Sequence, residues 1–322
     1  MDRRLMIAAH WFLAAATLFA GSSVSAQDFP NRPIRVIVTN SPGTTSDALA
    51  RVLAPAMSRF LSQPVVVENK AGAGNLIGFE YVAKQVPADG YTVALITIPS
   101  LVTLPLTVKD LRFDPLKDLP PFIGLAKSRL VLASSTSQPW KSFNDMLTYG
   151  KANPGKLNYG SADAATRILA EAILRRVGIS AVNVPYKSTA PYVQAVIASE
   201  VNFALISAPQ AIAAPDRIRV LAVTGDRPSA ALPGVPTFAE LGHPQIRGIG
   251  LSMNGPAGMP KAAIEKLSAA AAFAMEQADV KALFEKANFD IALQSADEIT
   301  KGIAEESRLF ADVAKQVGIQ PQ

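Results

Sequence analysis

Residues 65–93, VVVENKAGAGNLIGFEYVAKQVPADGYTV, restrict the fold more than any other stretch of the chain. Val65, Val66 and Val67 are a β-branched run of the buried-strand type. A turn through Gly72 and Gly74 follows, and Leu76, Ile77, Phe79, Val82 and Ala83 then recur at helical spacing. Pro87-Ala88-Asp89-Gly90 stops that helix before a second strand over 91–97. Strand, glycine-containing loop, helix and strand in this order predict a parallel α/β sheet. The loop falls at the carboxyl end of a strand and the amino end of a helix. Open α/β sheets bind ligands there, and unpaired backbone N–H groups there suit anions. Most such loops only connect, so this one needs company before it counts as a site.

The preceding residues supply it. The run IRVIVT over 34–39 predicts another buried strand, and NSPGTTS over 40–46 a turn. A helix over 48–61 follows from Leu49, Val52, Leu53, Ala56, Met57 and Phe60, with Thr45 or Ser46 as N-cap and Asp47 in the first turn. Two successive units of this kind set loops 40–46 and 69–75 side by side. A second set begins at Leu130. It has strands over 130–134, 157–159, 181–184, 201–206 and 218–224, and helices over 142–152, 167–177 and 190–198. A small polar loop lies at 160–166. A strand over 246–254 and helices over 261–278, 280–286 and 297–316 complete the pattern. Crossings near 124–129 and 239–247 would give a discontinuous first lobe (27–127 plus 247–322), a continuous second lobe (128–246) and a cleft between them. Hinged lobes of this kind close on ligands.

The amino-terminal segment predicts export. Arg3 and Arg4 precede an apolar run over 6–20 that only His10 interrupts, and Val24-Ser25-Ala26 is a small-x-small exit. These are the parts of a secretory signal peptide over 1–26, cleaved after Ala26. Its apolar core is short for a membrane span. The chain has no Cys, which removes disulfides, thiolate nucleophiles, Cys-ligated metals and a lipid-anchoring thiol. Of its two His, His10 leaves with the signal peptide. His243 stands in Gly242-His243-Pro244, with no nucleophile motif beside it, and any Ser-His-Asp arrangement would have to be built on it. No catalytic residue, metal site or cofactor is predicted. The formal charge of +5 is spread along the chain without a Lys/Arg run interleaved with aromatics. That pattern argues against nucleic acid and suits an acidic small molecule.

Several segments together resemble the periplasmic substrate-binding receptors of tripartite tricarboxylate transporters, the Bug family. They are PIRVIV from Pro33, Pro42-Gly43 with Asp47 and Ala50-Arg51, VVVENKAGAGNLIG from Val65, PADGYT from Pro87, KANPGKLNYGS from Lys151, and Val184-Pro185-Tyr186-Lys187. LAVT from Leu221 with Arg227, LPGVPT from Leu232 and Gly255-Pro256-Ala257-Gly258 with Pro260 continue the match over nearly the whole exported chain. The resemblance implies an α/β, two-lobed periplasmic binding protein of the type II-like Venus-flytrap kind, with its ligand cleft between the lobes. It implies capture of a small carboxylate through backbone amides and ordered waters, delivered to the membrane subunits of the transporter. Carried over by position, Pro42, Gly43, Thr44 and Thr45 form the first ligand loop and Ala73, Gly74 and Asn75 the second. Ser161, Ala162 and Thr166 lie in the second-lobe loop, and Ser207 ends a later strand. A monomer is expected.

The chain departs from the family pattern in five places. Gly43-Thr44 replaces a Gly-Gly pair. The second-lobe loop is shorter and carries Asp163, Ala164 and Ala165. Arg167 stands where a His is common, Ile206-Ser207 where the strand often ends in Asp, and Ser188 where a Gly follows Tyr186-Lys187. The carboxylate-anchoring lobe is mostly kept and the specificity lobe has diverged. Loss of the Asp argues against an amino-acid ligand, whose ammonium would lack a counter-charge. Thr44 and Ser161 are expected to face each other across the closed cleft, and Lys70 to face solvent. Three other readings compete. A nicotinamide loop at Gly72-x-Gly74-x-x-x-Gly78 lacks its acidic residue, since Asp89 lies before the next strand instead of closing it. A secreted hydrolase would need Ser161, which is in no G-x-S-x-G elbow. A receptor feeding a periplasmic sensor would share fold and ligand.

Overall fold

The structure, a computed structural model, describes residues 29–225, 227–229, 231–244, 246 and 248–321. The signal peptide read over 1–26 lies outside them. Strand β1 (Ile34–Val38) pairs in parallel with β2 (Val65–Asn69) on one side and β3 (Thr92–Thr97) on the other. Ile34, Val36 and Val38 enter the core on one face of the sheet, and Ile37 enters the core on the other. A strand covered on both faces has no polar side to show, hence the unbroken apolar run. Strands β4 (Pro121–Ser128), β10 (Ile249–Asn254) and β11 (Phe289–Ser295) extend this sheet to the order β11-β4-β10-β3-β1-β2. Here β10 runs antiparallel to both of its neighbours.

A five-stranded sheet forms the other lobe. Its strands are β5 (Leu130–Ser135), β6 (Leu157–Ser161), β7 (Ala181–Pro185), β8 (Phe203–Ser207) and β9 (Ile218–Val223), in the order β7-β6-β8-β5-β9. Strand β6 is parallel to β7 and β8, whereas β5 is antiparallel to β8 and β9. In each sheet, the interior antiparallel strand is the one that follows a passage from the other sheet.

Helices cover both faces of both sheets. On the six-stranded sheet, α1 (Thr45–Leu61), α9 (Lys261–Glu276) and α10 (Ala278–Lys286) bury Leu49, Met57, Leu267 and Phe284 on one side. Helices α2 (Leu76–Lys84), α3 (Ile98–Thr107) and α11 (Ala296–Gln316) bury Phe79, Leu101, Ile303 and Phe310 on the other. The short α4 (Pro115–Asp118) connects α3 to β4. On the five-stranded sheet, α5 (Phe143–Ala152) and α6 (Ala164–Val177) lie on one face, with α7 (Thr189–Ile197) and α8 (Ala208–Ile212) on the opposite one. The sequence reading omits α3, whose residues IPSLVTLPLT carry Pro105 inside the helix. An interior Pro costs about 3 kcal/mol. Ile98, Leu101, Val102 and Leu104 are all buried, at about 1.5–3 kcal/mol each, so packing outweighs the local penalty.

Arg129 alone separates β4 from β5, and residues 224–248 carry the chain back to β10. The crossing read near 124–129 falls at Arg129, directly after β4, and the return read near 239–247 lies within 224–248, where 238–242 are turn. The two passages are tied together. Leu130 N–H donates to Thr224 Oγ1 (2.8 Å) and Thr224 N–H to Leu130 O (2.8 Å). The Arg129 guanidinium donates to both carboxylate oxygens of Asp290 on β11 (2.5 and 2.6 Å). A Cβ on Gly248 would fall 1.8 Å from Ser128 O, so only glycine lets the passages approach this closely.

Candidate functional site

Because β1, β2 and β3 are parallel neighbours, their carboxyl ends and the loops that follow them share one rim of the six-stranded sheet. The first loop leaves β1 and enters α1 through Thr44, one residue before the N-cap expected from sequence. Gly43 adopts φ +82°, and its N–H donates to Asp47 Oδ2 at 2.9 Å. Thr44 offers no side-chain cap; its hydroxyl donates to Ser41 O (2.9 Å). Pro42, Gly43 and Thr45 are exposed.

Asp47 is the hub behind this loop. Its buried carboxylate accepts from Gly43 N–H, from Arg51 Nε (3.1 Å) and from Asn69 Nδ2 (2.9 Å). Asn69 Nδ2 also donates to Asn40 O (3.1 Å), and Arg51 NH2 donates to Asn69 Oδ1 (2.9 Å). Hydrogen bonding by Arg51, then by Gly43 N–H and Asn69, holds the Asp47 carboxyl down at about 2, against burial, which opposes it. The carboxylate is therefore ionised and fully occupied, a brace for the loop and not a ligand group.

The second loop is built from backbone conformations that most residues avoid. Gly72, Ala73, Gly74 and Asn75 have φ of 136°, 46°, 63° and 79°. Left-handed geometry costs a non-glycine residue about 1–2 kcal/mol, and Ala73 has no side-chain bond to offset it. Such a run turns successive N–H groups into a concavity that suits an anion. Asn75 Oδ1 accepts from Thr39 Oγ1 (3.2 Å) and Asn40 Nδ2 (3.0 Å), which locks the second loop to the first. Gly78 is required beneath: a Cβ there would lie 2.7 Å from both Lys70 O and Thr39 Cγ2. Lys70 is turned away, with Nζ 4.0 Å from the Tyr81 ring centroid, beside the Arg35–Glu68 pair. A third helix mouth, absent from the sequence reading, follows β3, where Thr97 Oγ1 and Ser100 Oγ are 2.8 Å apart. A hydroxyl followed by Pro99 in the first turn is the signal that could have revealed it.

The five-stranded lobe contributes differently. Helix α6 starts at Ala164, not Arg167, with Asp163 as N-cap. Thr166 N–H donates to Asp163 Oδ1 (2.7 Å), and Thr166 Oγ1 accepts from Ala162 N–H (3.3 Å) and Asp163 N–H (3.2 Å). Ser161 is buried at the end of β6, its Oγ accepting from Asn183 Nδ2 at 2.7 Å. Ser207 caps α8 with Gln210, its hydroxyl donating to Oε1 at 3.0 Å. The hydroxyls of Ser161, Thr166 and Ser207 are thus engaged within their own lobe, and Ala162 is half-buried. Among the described residues, no hydrogen bond joins this group to loops 40–46 or 69–75. Arg167 reaches the other lobe instead, NH2 donating to Val317 O at 2.9 Å. His243 packs edge-on to Phe143 (6.1 Å between centroids), while Ser161 is occupied by Asn183, so these two residues do not pair. Among the described residues, no group of three His, Asp or Glu could hold a metal, and no helix is long and apolar enough to cross a membrane.

Residues 49–319 match the family described as tripartite tricarboxylate transporter family receptor. The UPF0065 protein in the gbd 5' region of Cupriavidus necator is 31% identical over 99% of both chains. Protein BugT of Bordetella pertussis is 30% identical over 98% of both. Among solved structures, an R. palustris protein with adipate is 28% identical with a TM-score of 0.72, covering 92% of this chain and 100% of its own.

Proposed function

The chain belongs to the receptors of the tripartite tricarboxylate transporter family, Bug proteins among its relatives, and on that premise we propose that it captures a small carboxylate in the periplasm for a transporter of that kind. The ligand's carboxyl group sits on the Thr45 N–H of the first loop, where Gly43 N–H is already given to Asp47 and Thr44 N–H to Ser41 O, and on the N–H groups of Ala73, Gly74 and Asn75, with Pro42, Gly43 and Thr44 as its wall. Ser161, Ala162, Thr166 and Ser207 stand at the opposing wall and shape the space for the rest of the ligand. The observation that carries this reading is the left-handed run 72–75 locked to the first loop through Asn75, with Lys70, the one cationic residue of the two loops, turned to Tyr81 and Arg51 held by Asp47 and Asn69. Backbone amides at helix mouths, not an Arg clamp, are the anion-binding equipment. The adipate bound to the R. palustris protein is a carboxylate of the size such a cleft takes.

Thermal-shift and calorimetric titration of the exported chain with mono-, di- and tricarboxylates, aromatic acids and amino acids tests the reading. A true ligand at a hundredfold excess over its Kd stabilises by about 2.7 kcal/mol, and is recovered unchanged, since the protein binds and does not turn over. Absence of any stabilising carboxylate, or conversion of the ligand, defeats the proposal. On the same reading, 27–127 plus 247–322 and 128–246 move as the two bodies, pivoting at Arg129 and 224–248. Ligand then lowers the radius of gyration in solution scattering, and an unchanged radius contradicts the pivot. Export predicts a processed chain beginning at Gln27, which amino-terminal sequencing of periplasmic protein checks.

A further inference from the structure

Helix α11 carries its buried side chains on one stripe: Ile299, Ile303, Phe310, Val313 and Ala314. Helical spacing puts positions 302 and 306 on that same stripe, and there the residues are Gly302 and Glu306. Nothing lies within 4 Å of where a Cβ on Gly302 would sit. A glycine inside a 21-residue helix is the least favourable choice after proline, and here it leaves open space. Opposite, α6 of the other lobe presents Leu169, Ala172, Ile173 and Arg176. The result is a partly open cavity of about 240 Å³ between the lobes, lined also by Ile98, Ile246, Gly250 and Gln294. It shares no residue with the ligand loops described above.

We infer that this cavity is a second binding site, for a monocarboxylate with a compact apolar body, whose head group meets Lys127 and Arg176. The size and the walls set the body. The volume exceeds the about 150 Å³ of a dry apolar cavity that takes benzene and falls below the about 300–1,000 Å³ of sites for drug-sized molecules. Ile98, Ile173, Ile299 and Phe310 offer nothing to the second carboxylate of a diacid. The charges set the head group. Lys127 on β4 and Arg176 on α6 line the cavity and have no carboxylate within ion-pair distance among the described residues. Glu305 and Glu306 on α11 are the acidic groups that line it; Asp290 on β11 pairs in register with Lys127 but is taken by Arg129, and Gly248, Gly250 on β10, Ile98 on α3 and Gln294 on β11 add no charge. Glu305 is exposed. Burial pushes the Glu306 carboxyl up to about 7, so near neutral pH the cationic pair is only partly offset and an anion is favoured over a cation.

The test uses phenylacetate and its neutral counterpart phenylacetamide on the exported chain, with isoleucine and alanine methyl NMR as the readout. Phenylacetate is expected to move the Ile173 and Ile299 methyl resonances saturably, with phenylacetamide at least about tenfold weaker, the scale of one charge-assisted hydrogen bond. Gly302→Phe fills the space, and is expected to abolish those shifts while the Ala73 methyl still responds to ligands of the cleft. Gly302→Leu, a smaller filling on a better helix former, serves if the first variant does not fold. Ile methyls that stay still while Ala73 moves would place phenylacetate in the cleft alone and overturn the site. So would shifts that survive both fillings, and equal affinity for phenylacetamide would overturn the head-group assignment.

Discussion

The two lobes equip their facing loops by opposite means. In the six-stranded lobe, Asp47 and Asn69 bond to the loop backbone from behind, at Gly43 N–H and Asn40 O, and Asn75 ties the two loops together through the Thr39 and Asn40 side chains. In the five-stranded lobe, the polar side chains are spent within the lobe: Thr166 with Asp163 and Ser207 with Gln210 at helix ends, and Ser161 with Asn183 between β6 and β7. The first arrangement makes a rigid anion cradle, because the donors are backbone and the strain of left-handed residues is held by a network. The second leaves its wall defined by shape more than by donors. On the function proposed above, one lobe would hold the part common to every carboxylate ligand, and the other would meet what differs among them.

Breaking the cradle should therefore cost most. Asp47→Ala removes the acceptor of Gly43 N–H, Asn69 Nδ2 and Arg51 Nε, and because these groups can reach water each lost bond costs about 0.5–1.5 kcal/mol. We expect a fall in stability of about 3 kcal/mol together with loss of carboxylate binding. Retained affinity in calorimetry would show that Asp47 does not shape the loop. Its pH signature is also fixed. The folded carboxyl sits at about 2, below its ordinary 3.8, so its contribution is present above about 3.8 and vanishes as pH falls toward 2.

Between the lobes the sign reverses. Glu306 is pushed up to about 7 from 4.5. The folded protein keeps a proton that the unfolded chain releases, so stability is greatest below about 4.5 and declines as pH rises through 7, by at most about 3 kcal/mol. Glu306→Gln should flatten urea-melt stability between pH 5 and 8; an unchanged slope would mean that Glu306 is solvated.

The opposing wall should respond more in stability than in affinity. Ser161→Ala strands the Asn183 amide and should lower stability by about 1–2 kcal/mol. Thr44→Ala, whose hydroxyl meets only Ser41 O in an open loop, should lower affinity by about 0.5–1.5 kcal/mol with little change in melting temperature. Equal patterns for both would erase the contrast between the lobes. Smallest of all is Lys70→Ala. With its ammonium over Tyr81, we expect less than about a threefold change in Kd, within the 0.5–1 kcal/mol of an exposed cation–π contact.

Sequence made the six-stranded lobe legible where its strands are buried on both faces. IRVIV and VVVEN admit little else, and the loops after them follow from chain order. Other elements were hidden by their residues. β4 opens with Pro121 and contains Gly124, so PFIGLAKS reads as a link; pairing on both sides with β10 and β11 makes it a strand. β11, FDIALQS, is an edge with polar residues, and α3 is a helix by burial against its own propensity. The start of α6 was misplaced because its capping box uses Asp163 and Thr166 without the usual Glu. The Asp47 hub escaped for a different reason: Asn69 lies 22 residues away, and only the pairing of β1 with β2 brings it to α1.

Strand β10 has a consequence for how the chain acquires its shape. It sits between β3 and β4, yet it is synthesised only after the entire five-stranded lobe. Until residues 249–254 arrive, the larger sheet has an empty place at its middle, and closing that gap requires a loop spanning the whole of the other lobe. The lobe enclosed by the loop, β5 to β9, is contiguous and can finish alone. Assembly should then run from the inside of the sequence outward, with the anion cradle last, since slow formation follows distant pairing. Pulse-labelled hydrogen exchange during refolding should protect amides of β5, β6 and β8 before those of β1 and β3, and the reverse order would show that the cradle's lobe can form without its central strand.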